Sequence, residues 1–287
     1  MIFDSYGKYI FYDGAMGTML YKYGLKSGEK PDLMNMTAPD AVESIHRMYV
    51  EAGSDIVCTN TFGSNALNLE GTGYSPTEVI TAAVAAAKRA CDGKAKVASA
   101  KIALDIGPTG YVLEPAGDLD FEKAYDLFKE MAVAGEKAGA DFAAIETMSY
   151  IEELKAAMTA VKENTNLPML VTMTFEKSGY TFMGCTPESF VETAEEIGAA
   201  AIGLNCSLEP IEMQTVAERI TKATKLPLIV KPNAGLPDAK SGEYKTGAEE
   251  FAAQMTGFAK IGARIIGGCC GTTPEYIKEL RKRFIEL

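Results

Sequence analysis

Two cysteines stand side by side among glycines in the run Ile265-Ile266-Gly267-Gly268-Cys269-Cys270-Gly271-Thr272-Thr273-Pro274. Successive side chains of a regular strand point to opposite faces, so neighbouring cysteines there could not share one metal ion. The flanking glycines admit backbone angles closed to other residues and let both thiolates turn toward a common point. A second apolar run, Ala199 to Leu204, ends at Asn205-Cys206 and offers a third sulfur. Three thiolates with one position left open make a catalytic zinc site rather than a closed structural one. Such a centre is electron-rich and poor at polarising a carbonyl. A thiol entering the open position loses its proton yet keeps a nucleophilic sulfur, which suggests alkyl transfer to a substrate thiol.

Other strand-end residues could complete such a site. Asp13 precedes Gly14, Ala15 and Gly17, and a carboxylate beside closely spaced backbone amides can hold both charges of an amino-acid zwitterion; its plain alternative is a loop cap. Glu146 follows a wholly apolar strand and has no cationic neighbour in sequence, so a buried carboxylate there needs a partner such as a substrate ammonium. Asn205 and Asn233 either bind substrate or serve their turns. Lys231 could instead be a Schiff-base lysine, a reading that leaves the cysteine pair unexplained. The single histidine, His46, falls in a helical pattern (Ala41, Val42, Ile45, Met48, Tyr49) and is expected on the helix surface. Histidine triads and histidine metal sites are thereby excluded.

Composition agrees with this chemistry. The chain has 287 residues, 47% hydrophobic, enough for a sizeable core, and a net charge of −11 that disfavours nucleic acid or an anionic membrane as partner. The N-terminal residues lack an apolar core for a signal peptide, and the apolar stretches are too short to span a bilayer. Six cysteines without a secretion signal point to reduced thiols in the cytoplasm. Cys58, Cys91 and Cys185 are expected to be ordinary small buried residues.

The elements that must position these residues alternate from end to end. Strands are expected at 9–12, 55–58, 97–105, 142–145, 168–175, 200–204, 228–230 and 263–266, with helical patterns between them, among them 39–52, 121–138 and 151–163. Ser75 to Glu78 reads as a capping box. Eight such units without a linker predict a single-domain (β/α)8 barrel over residues 1–287, with the polar, glycine-rich and cysteine-bearing residues at the carboxyl ends of its strands, the catalytic face.

DGAMGTML at 13–20, DIVCTNTFGSN at 55–65, GLNCSLEP at 203–210, VKPNAGLP at 230–237 and IIGGCCGTTPEYI at 265–277 together resemble the homocysteine S-methyltransferase family, most of all the homocysteine-binding barrel of cobalamin-dependent methionine synthase. The likeness runs in order over essentially the whole chain. It implies a zinc-bearing barrel in which Cys206, Cys269 and Cys270 hold Zn2+ and homocysteine sulfur takes the fourth site, giving methionine. It also implies amino-acid binding by Glu146 and the loop Asp13, Gly14, Ala15 and Gly17, and approach of Asn233 to the metal when substrate is absent. Folate and corrinoid modules are missing, and Glu209 stands where many members have glycine. The expected donor is therefore methylcobalamin on a separate corrinoid protein. Two alternatives are a small onium donor such as betaine or S-methylmethionine, in a pocket lined by Tyr111, Phe175, Tyr180 and Phe182, and a zinc-binding barrel without turnover.

Overall fold

Eight short runs, buried over most of their length, form strands β1 (Ile10–Phe11), β2 (Ile56–Cys58), β3 (Lys101–Ile106), β4 (Phe142–Met148), β5 (Met169–Met173), β6 (Ala201–Asn205), β7 (Leu228–Lys231) and β8 (Ala263–Ile266). Near-continuous apolar character is what a parallel strand covered on both faces requires. The structure is a computed structural model that describes residues 2–92, 100–236 and 244–287. Residues 97–99 of the expected third strand lie outside the described residues.

One long helix follows each strand: α1 (Pro39–Ala52), α2 (Pro76–Cys91), α3 (Phe121–Ala138), α4 (Ile151–Asn164), α5 (Pro187–Ile197), α6 (Pro210–Ala223), α7 (Ala248–Ile261) and α8 (Pro274–Ile285). Their limits follow local chemistry. Ser75 and Glu78 form the expected capping box at α2, and Gly53 and Gly139 close α1 and α3 in the left-handed region, which glycine enters without a Cβ clash. The strands pair in parallel in the order β1-β8-β7-β6-β5-β4-β3-β2. A parallel bridge between Tyr12 and Ile56 joins the two ends, giving the (β/α)8 barrel.

Strand alternation decides what fills the barrel. Ile10, Tyr12, Ile56, Cys58, Ala103, Phe142, Ala144, Leu170, Ala201, Ile229 and Ile265 make one buried cluster, its floor closed by Phe3 stacked on Phe142 at 6.3 Å. Two residues further along their strands come Asp105, Glu146, Lys231 and, after Gly203, Asn205, so the same inward face turns polar at the carboxyl ends. Gly203 is required by space: a Cβ there would lie 1.8 Å from the Ile229 carbonyl oxygen of the adjacent strand.

Two expectations are corrected here. Strand β4 does not stop at Ile145 but continues to Met148 through a register shift, with Thr147 at a positive φ of 62°. Its Thr147 N–H donates to Asn205 Oδ1 at 2.8 Å, which carries the strand past the irregularity. His46 is not on the surface but fully buried, alongside Val42, Ile45, Tyr49 and Val50. Helix α1 packs against α2 and α8 as well as the barrel, so its buried stripe is wider than an isolated amphipathic pattern suggests.

Candidate metal centre

Cys206, Cys269 and Cys270 are brought together at the carboxyl ends of β6 and β8, each partly accessible. Their sulfurs all lie within 4.8 Å of one another, and Cys206 Sγ is 3.8 Å from Cys270 Sγ. Zinc–sulfur bonds of about 2.3 Å at tetrahedral angles put sulfurs about 3.8 Å apart, so the triangle fits a zinc ion without rearrangement.

The backbone is built for this convergence. Cys206 and Ser207 adopt left-handed angles (φ 61° and 55°) that cost on the order of 1 kcal/mol or more each in non-glycine residues. The turn is held by Cys206 N–H donating to the Lys231 carbonyl at 3.0 Å and by the Thr174 and Ser207 hydroxyls, 2.6 Å apart. Across from it, Cys269 N–H donates to the Pro232 carbonyl at 2.8 Å, and the Thr272 hydroxyl donates to the Cys269 carbonyl at 2.7 Å. The glycines act differently from expectation. Of the three around the cysteine pair only Gly271 uses a positive φ, 82°. Gly267 and Gly268 are there for room, since a Cβ would meet Tyr12 at 2.6 Å and the Thr272 hydroxyl at 2.4 Å respectively.

Electrostatics also call for a cation. Hydrogen bonds from the Cys269 and Cys270 thiols pull the Cys206 thiol down to about 3, whereas contact with Cys206 pushes Cys270 up to about 12 and Cys269 well above its ordinary range. Left to themselves, three touching thiols share one negative charge; ionising the other two needs a positive ion between them. Asn233 helps hold Cys206 as a thiolate by hydrogen bonding, and its Oδ1 is buried without a partner. Asn205 is a structural hub: it accepts from Thr172 Oγ1 at 2.8 Å, donates to Thr147 Oγ1 at 2.7 Å and reaches Cys269 Sγ at 3.8 Å.

Beneath the sulfurs the inward polar layer forms a second cluster. Lys231 pairs with Glu146, approaches Cys58 Sγ at 3.9 Å and sits 4.3 Å from the centre of the Tyr12 ring. Glu146 therefore does not lack a cation: the barrel supplies one from a strand 85 positions away in sequence. Asp13 is buried, accepts from Cys58 N–H at 2.8 Å, and has its carboxyl pushed up to about 7, chiefly by burial. Cys91 and Cys185 are buried as expected. Cys58 is buried too, but it belongs to the cavity wall.

The two clusters share one cavity of about 510 Å³, lined by Asp13, Gly14, Ala15, Gly17, Cys58, Asp105, Glu146, Lys231 and the three cysteines, among others. That volume is within the range of small-ligand pockets, about 300–1,000 Å³. Neither Asn205 nor Asn233 lines it, and neither do the four aromatics expected to form an onium pocket. Phe175 is in the core against Phe190, while Tyr111, Tyr180 and Phe182 are exposed. Asp105 is the cavity residue that sequence reasoning missed. Its signal was an acid inside the apolar strand Lys101-Ile102-Ala103-Leu104-Asp105-Ile106, in phase with Ala103.

Known proteins agree with this arrangement. Residues 10–284 match the family described as homocysteine S-methyltransferase. Methionine synthases of Mycobacterium leprae and Mycobacterium tuberculosis are each 33% identical over 284 residues, which is 93% of this chain and 24% of the relative. The chain thus spans about a quarter of the length of these relatives. Among solved structures, the metallated form of the Escherichia coli homocysteine methyltransferase MmuM superposes with a TM-score of 0.85 over 99% of this chain and 100% of that one, at 22% identity, which speaks to the fold. With a family match over nearly its full length, this chain belongs to the homocysteine S-methyltransferase family.

Proposed function

We propose that this chain is a single-domain, zinc-dependent transferase that methylates the thiol of homocysteine to give methionine. The observation that carries the reading is the sulfur triangle of Cys206, Cys269 and Cys270, at tetrahedral zinc spacing, opening into a cavity. When bound there, the ion supplies deprotonation of the acceptor thiol at neutral pH without a protein base. The chain's own residues do the rest. Asn205, Thr147 and Thr172 fix Cys269, and Asn233 supports Cys206. Asp13 to Gly17 and the Glu146–Lys231 pair face the amino-acid end of the substrate.

For the methyl donor we favour methylcobalamin carried by a separate corrinoid protein. The cavity lacks the aromatic box that a small onium donor needs, because Phe175 is buried elsewhere and the other three aromatics stand outside it. The likeness to methionine synthases over 93% of the chain supports the same choice. The test is methyl transfer to homocysteine by the zinc-loaded protein, with methylcobalamin, betaine and S-methylmethionine compared as donors. Methionine formation from methylcobalamin is expected. Transfer from an onium donor alone would reassign the donor, and transfer from none would leave a zinc-binding barrel without turnover.

A further inference from the structure

Two carboxylates face the cavity side by side, and only one has a cation. Asp105 has a carboxylate oxygen within 4.8 Å of one on Glu146 and of Cys58 Sγ. Lys231 donates to Glu146 and to Cys58, with both Lys231 and Glu146 largely buried. Asp105 is 8% exposed, lines the cavity, and has its Oδ1 buried with no hydrogen-bond partner. Its backbone is fixed on both sides: Asp105 N–H donates to Thr59 Oγ1 at 3.0 Å, and its carbonyl accepts from Thr61 Oγ1 at 2.7 Å. The carboxyl group therefore cannot swing away to find water.

A buried acceptor without a partner is costly, and a carboxylate most of all. Burial, followed by the Glu146 charge, holds the Asp105 carboxyl well above its usual range, which again marks a position where a cation is missing. A divalent metal at Cys58, Asp105 and Glu146 is a poor fit, because the Lys231 ammonium already bonds two of those three groups. A primary ammonium fits: it brings one charge and three donors, and it can reach Asp105 without displacing Lys231.

We infer that Asp105 is the residue that recognises the α-ammonium of the thiol amino acid, with Glu146 committed to Lys231. This rests on the reading of the substrate as homocysteine, and it makes Asp105 a specificity residue for amino-acid thiols over plain alkyl thiols.

The experiment is calorimetric binding of homocysteine and of 4-sulfanylbutanoate, the same molecule without its amino group, to the zinc-loaded protein. The unmodified protein is expected to prefer homocysteine. Asp105→Asn should erase on the order of 10- to 100-fold of that preference while leaving 4-sulfanylbutanoate affinity within about twofold. The double variant Glu146→Gln, Lys231→Met removes both members of the pair and should keep the preference. Equal losses for both thiols in Asp105→Asn would mark a merely structural role and overturn the inference. So would an unchanged preference in that variant, or equal binding of the two thiols by the unmodified protein. Should Asp105→Asn fail to fold, the double variant decides, since loss of the preference there would assign the ammonium to Glu146. Failure of the unmodified protein to bind either thiol would sink the homocysteine reading itself, a separate result.

Discussion

The three sulfurs form a site only as a set, because the third corner of the triangle completes the tetrahedral geometry. Replacing any of Cys206, Cys269 or Cys270 with Ala is therefore expected to abolish stoichiometric zinc, measured by metal analysis of the purified variants; zinc retained at one per chain would refute the assignment. The substrate thiol gives a second prediction. A free thiol titrates near ~8.5, so at neutral pH homocysteine arrives protonated and should release about one proton on binding to the zinc-loaded protein. Release should fade as pH rises through the thiol's own pKa, since the ligand then arrives ionised. Calorimetry at about pH 7 in two buffers of different ionisation enthalpy reads this directly, and equal heats in the two would show that no proton leaves. The cysteines were legible in the sequence because thiolate chemistry depends on residue type. The Glu146–Lys231 pair was not, because 85 residues separate its members and only closure of the barrel makes them neighbours.

Whole strands and helices were legible for a simple reason: buried apolar runs end at Gly, Pro or polar residues, and α1, α3 and β8 have the limits expected from that punctuation. What stayed hidden at this scale depends on which elements pack against which. His46 is the clearest case, since α1 turns it toward neighbouring helices where both ring nitrogens lack partners and burial lowers its pKa to about 4. Because the folded value lies below the ordinary 6.5, the native state resists protonation. The stability that depends on neutral His46 is complete above about pH 6.5 and is lost as pH falls toward 4, amounting to roughly 3 kcal/mol. Asp13 works in the opposite sense: its raised carboxyl, near 7, adds stability as pH falls through much of the same window. The two are separated by urea unfolding of the native sequence and of His46→Leu at about pH 7 and about pH 4.5, where the difference between the proteins should shift by a few kcal/mol in favour of the variant at the lower pH. A second element-scale expectation concerns Gly203. With the Ile229 carbonyl in the way, Gly203→Ala must push β6 and β7 apart, at a cost of at least about 1–3 kcal/mol in the same assay.

At the scale of the molecule, the metal ties the carboxyl ends of β6 and β8 across β7, so its removal should be felt globally. A ligand that binds only the native state at 1,000 times its Kd adds about 4 kcal/mol, and for a chain of this size that corresponds to a Tm shift on the order of 10 °C. Chelation followed by differential scanning calorimetry should show a loss of that order, reversed by added zinc. The closure of the barrel carries a different consequence. Strands β1 and β2 meet through the single Tyr12 to Ile56 bridge, reinforced by Asp55 N–H donating to the Phe11 carbonyl at 2.7 Å. Two carboxylates complete the join, Asp55 accepting from Phe11 N–H at 2.9 Å and Asp13 from Cys58 N–H at 2.8 Å. Asp13 is thus a clasp as well as a wall of the cavity. A neutral Asp13→Asn chain should exchange its Cys58 amide hydrogen faster than the native one, with the rest of the ring still protected. Poor substrate binding by such a variant would then report a barrel that breathes along one seam, and not the loss of a contact to the substrate.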